Sequence, residues 1–428
     1  MNSIPKGYTK TEVGVIPEEW EVKKLGEACK ILRGGSPRPI EDYLTTSPSG
    51  VNWIKIGDVS SDSKYITNTE EKIIPEGISY SRSVYPGDFL LSNSMSYGRP
   101  YILNIEGCIH DGWLVLQDFC RFFESDFLYY YLSSASVLKQ YEMKASGSSV
   151  HNLNKDLVAD VIVVIPSLCE QKAIAEVLSD MDALIEAQKK LIAKKRDIKQ
   201  GTMQELLSGR VRLPGYETKG WKHTDIGDIP DDWEGKELKG VGVFSKGKGI
   251  SRSEVIEQGK PCLRYGEIYT IYDTVVHALQ SFIPDELTST SRRLSHGDII
   301  FAASGETSDE IAKNVTYVGI EEAYVGGDTI ILTPKEQDSI FLSYLLNSHP
   351  IVKQKSKIGQ GDAVVHIHIS KLERVIICVP SLPEQKAIAE VLSDMDDEIE
   401  NLEAELEKLN YMKRGMMQEL LTGRIRLV

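Results

Sequence analysis

Several side-chain groupings in the chain come close to known chemistries, and each lacks one essential part. Gly242-Val243-Phe244-Ser245-Lys246-Gly247-Lys248-Gly249 nearly spells a phosphate-cradling P-loop, but Gly249 stands where a Ser or Thr hydroxyl would bind Mg²⁺. His366-Ile367-His368 alternates like a strand and would put two imidazoles on one face; with no third ligand in view, surface or core histidines are expected rather than a metal site. Pro284-Asp285 finds its next Glu-x-Lys only at Glu384-Gln385-Lys386, and Pro230-Asp231 has Glu234-Gly235-Lys236 almost on top of it, so neither spaces the carboxylates and lysine of a nuclease. There is no Gly-x-Ser-x-Gly elbow. Nor is there an Asn/Asp-Pro-Pro-Tyr/Phe motif to hold a flipped base. A chain without catalytic residues or a metal is expected.

Binding chemistry is better represented. Gly- and Ser-rich turns carry local positive charge at matching places in two halves of the chain: Arg33-Gly34-Gly35-Ser36-Pro37-Arg38 answers Lys246-Gly247-Lys248-Gly249-Ile250-Ser251-Arg252, and Gly147-Ser148-Ser149 answers Gly359-Gln360-Gly361. Lys353, Lys355 and Lys357 are also close together. Such loops can offer amides and cations to phosphates, with Arg and Asn for base edges. Ser92-Asn93-Ser94-Met95-Ser96-Tyr97-Gly98-Arg99 has a suitable mixture too. The candidate DNA contacts are Arg33, Ser36, Arg38, Asn93, Ser94, Tyr97, Arg99, Ser148, His151, Lys246, Lys248, Arg252, Lys357 and His366. Any one turn alone would read as a soluble loop; their recurrence is what points to a surface.

The elements that position these loops come from an internal repeat. Pro166–Asp182 recurs as Pro380–Asp396 with only Cys169/Pro383 different, and Met203–Leu207 and Gly209-Arg210 return as Met417–Leu421 and Gly423-Arg424, all at an offset of 214. Upstream the likeness is looser: Ile16-Pro17-Glu18-Glu19-Trp20 answers Ile229-Pro230-Asp231-Asp232-Trp233, Gly34 matches Gly247, and Gly87-Asp88 matches Gly297-Asp298. The chain divides into a globular unit (1–165), a helical segment (166–213), a second globular unit (214–379) and a second helical segment (380–428). Both units read as mixed α/β. The apolar runs Val161–Ile165 and Val375–Val379 are expected as buried strands, and Phe127–Leu132 and Phe341–Leu346 as amphipathic helices. A shared scaffold with differing interiors suits a duplicated reader.

In the repeated helices Ile388, Leu392, Met395, Ile399, Leu402 and Leu406 fall at a four-three spacing, the seam of a coiled coil; Ile174, Leu178, Met181, Ile185 and Ile192 form the less regular first copy. Each helix of about 40 residues would run about 60 Å. Residues 189–199 carry six basic groups against Asp197 alone, whereas residues 394–407 carry eight acidic groups and no basic one. Opposite charge on two copies of one helix predicts that they pair antiparallel with each other. The alternative is that each docks on its own unit with its charges in solvent.

Composition sets the outer limits. A chain of 428 residues needs at least two cores. Its formal charge of −14 excludes a general polycation but not a protein with locally gathered cations. Six cysteines without a CxxC pair suit reduced thiols in a cytoplasmic protein, and no apolar run reaches membrane-spanning length.

Two variable units alternating with two near-identical helices, each opened by (Ile/Val)-Pro-Ser-Leu-x-Glu-Gln-Lys-Ala-Ile-Ala, resemble the specificity subunit of type I restriction-modification enzymes over essentially the whole chain. The Gly-x-Ile-Pro-x-x-Trp openings at 14–20 and 227–233 belong to the same pattern. The resemblance implies that each unit is a target recognition domain reading half of a split double-stranded DNA site. The paired helices would set the spacing and dock two modification subunits. Those subunits would bind S-adenosylmethionine and methylate adenine N6, and restriction subunits would add ATP- and Mg²⁺-dependent translocation and cleavage. The competing readings are a coiled-coil scaffold that binds only proteins, and a DNA nuclease or methyltransferase with an unrecognised motif.

Overall fold

The computed structural model describes residues 4–60, 63–93, 98–145, 153–217, 220–224, 227–307, 310–359 and 365–427. It consists of two compact units: Met1–Lys189 with Glu405–Val428, and Lys190–Ala404. The division falls inside both long helices, Leu168–Leu207 and Leu382–Leu420. Each unit therefore contains a globular part, the start of the helix that follows it, and the end of the other long helix.

In the first unit a five-stranded sheet has the order Lys30–Arg33, Trp113–Gln117, Phe89–Ser92, Pro100–Leu103, Tyr65–Ile66, antiparallel except for the last pair. A second sheet runs Leu44–Thr45, Glu71–Ile73, Val51–Ile54, Gly107–Ile109, Arg82–Val84. The second unit repeats the plan, with Gly242–Lys246, Thr329–Pro334, Asp298–Ala302, Asn314–Tyr317, Val275–Val276 in one sheet and Ser281–Ile283, Lys260–Leu263, Ala323–Val325, Arg292–Leu294 in the other. Trp113, Leu114, Val115 and Leu116 are all fully buried, as are Ile299, Ile300 and Phe301, so these central strands are apolar on both faces. The near-P-loop is half strand, Gly242–Lys246.

Two expectations are refined. The apolar runs are strands, Ile162–Ile165 and Ile376–Val379, but among the described residues each pairs with a single partner, Glu21–Lys24 or Glu234–Glu237, immediately before a long helix. The helix Ser125–Leu132 is amphipathic as expected, with Phe127, Leu128, Tyr130, Tyr131 and Leu132 buried and Ser125, Asp126 and Tyr129 half-buried on one face; in Ser339–Leu346 every residue from Phe341 to Leu346 is buried. The second is covered by both a sheet and a long helix, so Phe341–Leu346 keeps no face for solvent.

The long helices pair antiparallel within each unit. In the first, Ile174, Ala175 and Leu178 share one core with Leu420, Leu421 and Met416. In the second, Leu206, Leu207 and Met203 pack with Ile388, Leu392 and Met395. Ile185, Ile192, Ile399 and Leu409 are buried along the seam, while Met181, Leu402 and Leu406 are half-buried. The basic and acidic runs meet in three ion pairs among the described residues: Lys195 to Glu398 at 2.6 Å, Arg196 to Glu403, and Lys199 to Asp396. Each helix start also docks on its own unit, but with these charges paired between the helices rather than left to solvent.

The repeated residues make repeated contacts. Asp182 accepts from the Tyr130 hydroxyl and pairs with Lys413 at 2.5 Å. At the same offset Asp396 takes the Tyr344 hydroxyl and Lys199. Glu170 is buried, accepts from Trp20 Nε1 at 3.0 Å and pairs with Arg426; the equally buried Glu384 pairs with Arg212, whose guanidinium lies 5.7 Å from the Trp233 ring centre. Gly209 and Gly423 adopt φ of +70° and +69°, and a Cβ on either would strike Pro230 or Pro17. The glycine ending each repeat, with Arg212 or Arg426 three residues beyond it, thus seals the Pro-Glu/Asp-x-Trp opening of the same unit.

Candidate nucleic-acid interface

Among the described residues, the glycine turns and the segments at Asn93 and Ala303 converge on the same backbone positions in both units. In the first unit Gly34 N–H bonds to Trp113 O at 2.9 Å, Asn93 N–H to Gly112 O at 3.0 Å, and Leu153 N–H to Asn93 O at 2.9 Å. In the second, Gly247 N–H bonds to Thr329 O at 3.0 Å, Ala303 N–H to Asp328 O at 2.8 Å, and Ile367 N–H to Ala303 O at 2.9 Å. Four segments are thereby stitched together: the glycine turn, the hairpin after the central strand, the turn before the next long strand, and the stretch after the second short helix. Gly34 and Gly247 are required by close approach, since a Cβ would lie 2.1 Å from His110 O or 2.0 Å from Gly326 O.

On this common backbone the side chains differ. In the first unit the candidates gather around Asp111. Ser36 donates to its carboxylate at 3.0 Å, Arg38 approaches it at 3.4 Å, and Arg33 Nε and Asn93 Nδ2 donate to its main-chain oxygen at 3.2 and 2.9 Å. Burial works to raise the Asp111 carboxyl, but the Ser36 hydroxyl, with smaller help from His110 and Arg38, holds it below the usual range. Burial pushes His110 below its ordinary value, against the pull of Asp111. Arg33 and Arg38 are exposed, Arg33 held by the Asp111 carbonyl and Arg38 by its carboxylate. Arg99 is half-buried over the Tyr101 ring at 5.9 Å. Ser94, Tyr97, Ser148 and His151 lie outside the described residues.

In the second unit Lys246, Lys248 and Arg252 are exposed on the turn, and no carboxylate lies within ion-pair distance of them among the described residues. His366 and His368 are exposed while Val365 and Ile367 are buried, the alternation expected of a strand; His366 Nδ1 is hydrogen-bonded to the Ser304 hydroxyl at 2.9 Å. Among the described residues no group of three metal-ligating side chains occurs, and no helix is long and apolar enough to cross a membrane. Lys357 projects from the helix His349–Ile358 into solvent, with Lys353 on the same face. Lys355 is fully buried, so the three lysines do not form one cluster.

Further groups at this surface escaped the sequence reading. Asp111 was hidden because its role is to organise arginines, which no spacing reveals. Arg82 Nε reaches the Arg33 carbonyl at 3.4 Å, and Arg292 Nε the Ser245 hydroxyl at 3.5 Å. Both follow a serine at the start of matching strands (Ser81-Arg82, Ser291-Arg292), so extending the repeat alignment through the variable interior would have found them.

Comparison with known proteins places this architecture. The family model for the type I restriction modification DNA specificity domain matches residues 17–194 and 230–411. The type I restriction enzyme MjaVIII specificity subunit of Methanocaldococcus jannaschii is 30% identical over 96% of this chain and 94% of its own length. The EcoKI specificity subunit of Escherichia coli is 23% identical over 46% of this chain and 44% of its own. A chain from a structural study of complex assembly and conformational transition of the type I restriction-modification system superposes with a TM-score of 0.60 at 17% identity, covering 96% of this chain and 99% of that one. The type I restriction-modification S subunit from M. genitalium does so at 0.54 and 15% identity, covering 94% and 96%. The fold and the doubled domain define a two-reader DNA specificity protein, and the chain belongs to the type I restriction-modification DNA specificity family. It is a specificity subunit, the DNA-recognition component of such a system.

Proposed function

We propose that each globular unit reads one half of a split, non-palindromic double-stranded DNA target, and that the chain supplies recognition without catalysis. The observation that carries this reading is the twin loop surface: one backbone design, built twice, bearing arginines organised by Asp111 in one copy and unpaired Lys246, Lys248 and Arg252 in the other. Phosphate contacts set register, and differing side chains on a shared frame give two different half-sites. The paired helices set the gap between half-sites and dock two modification subunits. Those subunits hold S-adenosylmethionine and methylate adenine N6; restriction subunits, where present, bring ATP and Mg²⁺. The assembly works in the cytoplasm.

The test is DNA binding and turnover by the purified chain, alone and with a cognate modification subunit. Sequence-specific binding that tightens with the partner, with no methyl transfer or cleavage by the chain alone, is expected. Turnover by the chain alone would mean a hidden catalytic site, and an absence of salt-dependent DNA affinity would favour the protein scaffold.

A further inference from the structure

Beside the loop surface of the second unit, a groove is lined by Ser251 and Arg252 of the glycine turn, by Gly327 and Asp328, and by Arg264 and Tyr265. Arg264 follows the strand Lys260–Leu263 and precedes the short helix Tyr265–Thr270. Its guanidinium is fixed by Glu267, which is 3% exposed: Nε and Nη2 donate to Oε1 at 2.9 and 2.7 Å, while Oε2 takes the Arg264 main-chain N–H at 3.0 Å. The Ser281 hydroxyl donates to the same Oε1 at 2.7 Å, locking the carboxylate in turn.

The way this pair is used matters chemically. A guanidinium has five N–H groups in a plane. Glu267 engages the Nε/Nη2 edge, which leaves the Nη1/Nη2 end without a partner among the described residues. That end presents two parallel donors, the pattern matched by guanine O6 and N7 in the major groove. The side chain is about a quarter exposed, and the neighbouring Tyr265 ring is 39% exposed. The matching position of the first unit is Lys55, which ends its strand in the same way, takes Asp58 on its main-chain N–H at 2.8 Å and spends its ammonium on Glu71 at 2.7 Å. Capping and charge pairing are thus satisfied by lysine in one copy, while the other copy has an oriented fork with a free end. Lysine cannot supply that fork.

Resting on the DNA-reading function above, we propose that Arg264, positioned by Glu267, reads one guanine through its O6/N7 edge and is a specificity determinant of the second unit.

The probe is a target duplex, with its motif first defined for the wild-type complex with the modification subunit, in which each guanine is replaced in turn by 7-deazaguanine. This change removes N7 and leaves base pairing intact. Wild-type binding should fall by roughly 5- to 150-fold at one guanine of one half-site. With Arg264→Gln the same replacement should cost less than about twofold, and the other half-site should respond as in wild type. Arg264→Lys keeps the Glu267 ion pair and should behave like Arg264→Gln; it carries the comparison if the glutamine variant folds poorly. Equal penalties in wild type and both variants at every guanine, or a half-site without guanine, would overturn the proposal while leaving DNA reading intact. A wild-type complex with no sequence preference would instead overturn the DNA-reading function itself.

Discussion

Lys355 offers a sharp test of the packing described for the second unit. It is fully buried on the helix His349–Ile358, donates from Nζ to Ala312 O at 2.6 Å, and sits 6.0 Å from the Phe301 ring centre. No carboxylate lies within ion-pair distance of it among the described residues. The matching position in the first unit is the buried Tyr141, which carries no charge at neutral pH. Burial without an anion pulls the lysine from 10.5 down to about 7. Its folded pKa lies below its unfolded value, so between about pH 7 and 10.5 the unfolded chain holds the extra proton, and stability rises with pH across that window. At about 1.36 kcal/mol per pH unit, allowing for half-protonation near pH 7, the rise from pH 7 to pH 9 is about 2 kcal/mol. Lys355→Met keeps the stem and removes the ammonium. It also leaves Ala312 O without its donor, a cost of about 1–3 kcal/mol that does not vary with pH. Urea unfolding of both proteins at pH 7, 8 and 9 separates the two effects. Wild type minus variant should rise by about 2 kcal/mol across the series. A difference that stays flat would refute the buried, unpaired ammonium.

Three other perturbations test other parts of the molecule. Replacing Lys246, Lys248 and Arg252 together by alanine should lower the slope of log affinity against log salt by about 3, near 0.9 per phosphate contact; an unchanged slope would take the turn off the DNA. Asp111→Asn frees Arg38 from its anion, leaves the carbonyl that holds Arg33, and should lower the ratio of specific to non-specific DNA affinity, with stability changed by less than about 1 kcal/mol because the pair is exposed; an unchanged ratio would mean that the Asp111 carboxylate does not organise the reader. Lys195→Glu with Arg196→Glu should lower Tm, at a cost of about 1–2 kcal/mol for two exposed pairs turned repulsive, and Glu398→Lys with Glu403→Arg should restore it. Failure to restore would mean that those charges do not meet.

How much was legible in the sequence depended on whether a residue's partner was also repeated. The antiparallel helix pair could be read because Ile174 and Leu178 recur as Ile388 and Leu392, and because one copy is basic where the other is acidic. The glycine turns could be read because Gly34 and Gly247 recur where two backbones nearly touch. Lys355 was misplaced in a basic cluster because three lysines at every second position look alike in a list of residues. Helical spacing puts Lys353 and Lys357 on one side and turns Lys355 inward with Ile351. The full burial of Phe341–Leu346 is not marked in the sequence, because its likeness to the amphipathic Phe127–Leu132 hides that it is covered on two sides. The contacts around Asp111 were out of reach because they join loops brought together by sheet pairing, and sheet register is not encoded in local spacing; the Arg264–Glu267 pair is local, but the free end of its arginine shows only in the fold.

The central claim is that the two units read independently. The most direct measurement is adenine-methylation mapping in cells that carry the chain with a cognate modification subunit, before and after residues 214–379 are exchanged for the corresponding domain of a relative. A split motif in which only one half changes is predicted. A change in both halves, or no split motif despite a stable complex with the modification subunit, would contradict the account.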